Sequence, residues 1–174
     1  MSLILALLVT LVAVLAQVSI MPGFSIFGAQ PNLLLVLLVV WTAVRPQREA
    51  LLLIPIAGFA LGLLDGRPLG VTMLALAPLI LMTEVRGLRL VESELLPAVG
   101  LVAIATLAYE TIILLTLAVA GERLDWAASP RYILVPALVA NVLLLLPVYG
   151  LAQLARIDYR PSRGDVGQPW RGRI

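Results

Sequence analysis

The chain has 174 residues, 61% of them hydrophobic, with 12 basic and 10 acidic groups and a formal charge of +2. Its mean hydropathy of +1.07 lies far above that of a soluble domain, which is roughly half apolar, so an integral membrane protein is expected. There is no cysteine and no histidine, and every basic residue is arginine, which excludes disulfides, thiol chemistry, Cys/His zinc sites and lysine Schiff bases.

Taken in order, Ser2 to Met21 is apolar except for Thr10, Gln17 and Ser19. It is long enough to cross a hydrocarbon core of roughly 30 Å. No basic n-region precedes it and no Ala-x-Ala site follows, so it reads as a retained first span rather than a signal peptide. Pro22 to Pro31 is an uncharged loop, and Pro31 is expected in the first turn of the second span, Asn32 to Val44. The charged turn from Arg45 to Glu49 leads into the third span, Ala50 to Leu64, and the turn from Asp65 to Pro68 leads into the fourth, Leu69 to Thr83. Spans two to four are shorter than the roughly 20 residues of a full crossing. Extension into the turns, bilayer thinning or burial within a bundle would each accommodate that, and a re-entrant segment is the alternative. After a charged loop, Ser93 is a candidate N-cap for the fifth span, Leu95 to Ala120. A loop with Trp126 at an interfacial position then precedes the sixth span, from about Arg131 to Ala155. The expected organisation is a six-span membrane domain over 1–156 and a basic, disordered tail over 157–174, rich in arginine, glycine and proline.

Six spans put both termini on one side. Nine arginines fall on that side, in the turn after span two, the loop after span four and the tail, against Arg67, Arg123 and Arg131 on the other. The positive-inside rule makes the first side cytoplasmic.

Little catalytic chemistry is available. A serine hydrolase needs a base that histidine or lysine would supply, and Walker-type or dinucleotide glycine loops are absent. The carboxylates Asp65 and Glu110 belong to different depths, a turn and a helix interior, and do not form a dyad. No cofactor, metal or nucleic-acid partner is expected. Glu110 is costly near mid-bilayer unless protonated, solvated or paired. Counted from the loop between spans five and six, it lies at the depth of Asn141, so Glu110 and Asn141 are expected to form an intramembrane polar pair. The pair serves either as interhelical glue or as the lining of a polar cavity. Gly58, Gly62, Gly66 and Gly70 recur every four residues, a spacing that allows close backbone approach by another helix of this chain or of a partner.

Pro31-Asn32 before a leucine-rich helix, the Arg45-Pro46 turn, and the stretch GFALGLLDGRPLG from Gly58 to Gly70 resemble the rod shape-determining protein MreD family. The specific part is Gly66-Arg-Pro-Leu-Gly70, where that family has Ser-Gly-x-Pro-Leu-Gly. The family pattern also has aspartate where Gly62 stands and serine where Asp65 stands, so the acidic group is shifted by a turn along the helix. The resemblance implies an all-α, six-transmembrane-helix bundle similar to the substrate-binding subunits of energy-coupling-factor vitamin importers. It further implies a non-enzymatic inner-membrane subunit of the cell-elongation machinery that binds the single-span scaffold MreC. Through MreC it would act with the MreB filament, the RodA glycosyltransferase and a class B penicillin-binding transpeptidase. On this basis Pro31, Asn32, Gly58, Gly62, Asp65, Gly66, Pro68 and Gly70 are expected to serve partner binding. The rival expectation is a vitamin-importer subunit or small transporter.

Overall fold

The computed structural model describes residues 3–44, 47–66, 68, 70–84, 95–122, 125–126 and 128–157. The Arg45-Pro46 turn, Arg67, Ser93 and its charged loop, Arg123 and the tail from 158 onward lie outside the described residues. The helices are α1 (Leu3–Ser19), α2 (Leu33–Val44), α3 (Gln47–Leu64), α4 (Val71–Leu76), α5 (Pro78–Glu84), α6 (Leu95–Val119) and α7 (Val135–Ile157). Short 3-10 and π turns, Met21–Gly23 and Pro130–Leu134, lie at the end of α1 and the start of α7. Among the described residues the fold is all-helical, with one isolated bridge between Ile26 and Ala29.

Three apolar helical segments, Ile4–Gly23, Leu95–Val119 and Pro130–Ala152, are long enough to cross a membrane. Three more, Leu33–Thr42, Glu49–Leu64 and Val71–Met82, are shorter, which gives the six apolar segments that the sequence predicts. The shortness of α2 has a structural reason. It packs against α1, α3, α5, α6 and α7, with Leu34, Leu35, Val36, Leu38, Val39 and Val40 all buried. A helix that is apolar all round belongs inside protein, and one surrounded by helices need not match the bilayer in length. α1 and α3 instead carry exposed stripes, Leu8, Leu11, Val12 and Leu15 on one and Leu52, Ile56, Phe59 and Leu63 on the other. Their spacing of three to four residues marks faces turned to lipid.

Prolines set two irregularities. The fourth span breaks at Ala77, because Pro78 has no N–H for the Leu74 carbonyl, which accepts from the Ala77 amide at 3.1 Å instead. At the start of the last span the bonding register widens to a π turn, with the Val135 amide reaching the Pro130 carbonyl. This lies just before Pro136, which cannot donate. The second-span boundary also moves by one residue. Pro31 lies outside the helix and Asn32 caps it, its Oδ1 accepting from the Leu35 amide at 2.9 Å.

Candidate functional site

The first amides of a helix have no partner within it, and in a bilayer no water is at hand to serve them. At the start of α2, side chains from two other helices do so. Asn141 of α7 accepts from the Asn32 amide through Oδ1 at 2.6 Å, and Gln17 of α1 accepts from the Leu33 amide at 2.6 Å. The Gln17 amide nitrogen also donates to the Pro31 carbonyl at 3.2 Å. Asn141 is 1% exposed, and its Nδ2 donates to the Thr106 hydroxyl of α6 at 3.0 Å. One buried carboxamide thus ties α2, α6 and α7 together. Glu110 follows Thr106 by four residues on α6, on the same helix face, and is half-buried. The bonds that hold Asn141 go to Thr106 and Asn32.

The glycines divide into two groups. A β-carbon at Gly58 would lie 2.7 Å from the Met73 Cα, so the close approach is made by α4 of the same chain. Gly62 also faces α4, but a β-carbon there would meet Thr72 Oγ1 at 3.7 Å, ordinary contact. Both are buried, on the side of α3 that faces α4. Gly66 and Gly70 have nothing within 4 Å of a β-carbon, but their φ values of +67° and +92° demand glycine. Gly66 follows the end of α3 and Gly70 starts α4. Asp65, just before Gly66, and Pro68, between the two glycines, are exposed. The hairpin therefore packs through Gly58 and displays Asp65, Gly66, Pro68 and Gly70.

The family model for the rod shape-determining protein MreD matches residues 1–155, a stretch that contains all six apolar segments. The chain belongs to the MreD family. No curated protein and no solved structure matches it. The family is a shape-determining one rather than a known enzyme family.

In this MreD-family chain, Pro31 and Asn32 are buried at the start of α2, while Asp65, Gly66, Pro68 and Gly70 are exposed. Among the described residues no group of three or more His, Cys, Asp or Glu side chains is placed to hold a metal. A shallow groove of about 400 Å³ runs along α6, lined by Ile104, Leu107, Ala108, Thr111 and Ile112. It is open and apolar, a surface for acyl chains or a helix rather than for a polar solute. Sequence reasoning missed Gln17 and Thr106 as members of the polar cluster. Each is a single polar residue in an apolar run, the signal by which an interhelical bond is found.

Proposed function

We propose that this chain is a non-enzymatic membrane subunit of the cell-elongation complex, which binds an MreC-like single-span scaffold and supports peptidoglycan synthesis and cell shape. The observation that carries the proposal is the family match over residues 1–155. The MreB filament, RodA and the class B transpeptidase are reached through that scaffold. The displayed turn with Asp65 and Pro68 is the docking surface, fixed in shape by Gly66 and Gly70 and held in place by the Gly58 contact. Pro31 and Asn32 act at one remove, by setting where α2 begins. The protein resides in the inner membrane with both termini cytoplasmic, on the side that gathers nine of the 12 arginines.

Two measurements test this. Reporter fusions at Gln47, Leu88 and Ser162 should report the cytoplasm, and fusions at Gly28, Arg67 and Ala127 the opposite side. Leu88 and Ser162 on opposite sides would end the six-span topology. Co-purification of an MreC-like partner from mild detergent should succeed with the wild type and fall several-fold with Asp65→Ala combined with Pro68→Ala. Because both residues are exposed, the variant's thermal unfolding should stay within about 0.5 kcal/mol of wild type. Recovery of no such partner, together with a strong thermal shift on adding a vitamin, would replace the scaffold reading with a transport subunit.

A further inference from the structure

The polar cluster fixes the depth at which α2 starts. α2 has 12 residues and ends directly before the charged stretch Arg45 to Glu49, of which Gln47 to Glu49 open α3, so its start lies roughly 18 Å from that charged boundary at 1.5 Å per residue. In a hydrocarbon core of roughly 30 Å, Asn32 then lies on the order of 12 Å beneath the opposite face. Two observations agree with this depth. The amides at that point bond to the buried Asn141 of α7 and the half-buried Gln17 of α1. In addition, α2 packs against α5, the half of the broken fourth span that leads toward the start of α6. The connection between α1 and α2 therefore begins and ends inside the bilayer.

That connection, residues 20–31, carries no charge. Its backbone is partly satisfied from within, through Gly23 to Ile20, Phe24 to Met21, and reciprocal bonds between Ile26 and Ala29. Such bonding lowers the cost of irregular backbone near lipid. Phe24 and Phe27 are 60% and 81% exposed and follow the exposed apolar residues Leu15 and Ile20 in the chain. Phe27 and Gly28 form the two-residue tip, with φ values of +52° and +83°. A bulky aromatic is unfavourable in that left-handed conformation, so turn chemistry does not account for Phe27, whereas contact with acyl chains does.

We propose that residues 20–31 form a lipid-inserted hairpin, with Phe24 and Phe27 held among the acyl chains just below the headgroups of the leaflet opposite the charged stretch Arg45 to Glu49. Its occupant is membrane lipid. The hairpin anchors the α1–α2 unit in the outer part of the bilayer that α2 does not reach.

The chain contains no cysteine, so single labels can be placed without background. Nitroxide labels at Phe27→Cys and Ser25→Cys, in the full chain reconstituted into phosphatidylethanolamine and phosphatidylglycerol vesicles, would be compared with Leu15→Cys in lipid and Asp125→Cys in an exposed loop. The expected result is a several-fold higher ratio of oxygen to nickel-chelate collisions at Phe27→Cys than at Asp125→Cys, approaching that at Leu15→Cys. A ratio at both hairpin positions equal to that of Asp125→Cys would place the hairpin in water and overturn the proposal. Shielding from both collision partners would overturn it equally, because protein would then cover the tip. If Phe27→Cys does not fold, Ser25→Cys decides between the same outcomes.

Discussion

The α1–α2 and α3–α4 hairpins solve one problem by opposite means. Lipid tails are as apolar as leucine, so burying apolar surface does not by itself draw helices together in a bilayer. α1 and α2 are joined by an added polar side chain, with Gln17 taking the Leu33 amide while Asn141 of α7 takes the neighbouring Asn32 amide. α3 and α4 are joined by a missing side chain, with Gly58 admitting the Met73 backbone. A directional bond fixes depth, whereas a shape contact fixes only separation. The first hairpin therefore sets where α2 begins within the membrane, and the second projects a turn from the surface.

The sharpest way to break this comparison is Asn141→Leu. It leaves the buried Asn32 amide and Thr106 hydroxyl without the bonds they make to Asn141. The stranded amide alone costs about 1–3 kcal/mol, so thermal unfolding in detergent should show the largest loss of any substitution considered. Thr106→Val removes only the acceptor for Asn141 Nδ2 and should cost about 0.6 kcal/mol, typical of an interhelical side-chain bond in a membrane. Equal losses from the two would mean that the Asn32 amide finds another partner and that Asn141 does not set the depth of α2.

Gly58→Ala tests the other hairpin. Its methyl group would need space already held by the Met73 Cα at 2.7 Å, and backbone yields less readily than a side chain. Overpacking of this kind costs about 1–3 kcal/mol. The loss should be accompanied by weaker recovery of the MreC-like partner, because the displayed turn shifts with α4. A stability equal to wild type would show that the two helices separate freely and that the hairpin does not hold the turn in place.

Much of this was legible from residue types alone. Runs of Leu, Val and Ala gave six apolar segments, and Gly58 to Gly70 marked a tight hairpin together with the family. Which body approaches the glycines was not legible, because a four-residue spacing describes one face of a helix and says nothing of what covers it. Nor was the bond from Asn141 to Thr106. Counting residues from a loop gives depth, but picking out Thr106 requires the rotation of α6 about its axis, which an almost uniformly apolar helix does not encode. The break at Ala77 was foreshadowed by Pro78, whereas the partnership of Gln17 with the start of α2 needed the two ends to be seen together.

The smallest expected effect is that of Gly62→Ala, and it separates internal packing from docking. Gly62 follows Gly58 on the same face, yet its new methyl group would sit 3.7 Å from the Thr72 hydroxyl, a normal contact. That hydroxyl makes no hydrogen bond within the structure, so it can rotate without loss. Alanine also restricts the unfolded backbone more than glycine, which adds a few tenths of a kcal/mol in favour of the helix. Stability should therefore stay within about 0.5 kcal/mol of wild type, with the MreC-like partner recovered in full. Gly62→Leu is a poorer probe, because its additional carbons press on α4 and confound fold with interface. If Gly62→Ala were as destabilising as Gly58→Ala, the two helices would stay in close contact for another turn. If instead it lost the partner at unchanged stability, the buried face of Gly62 would open to a partner helix, and the division of labour between packing glycines and displayed turn would fall.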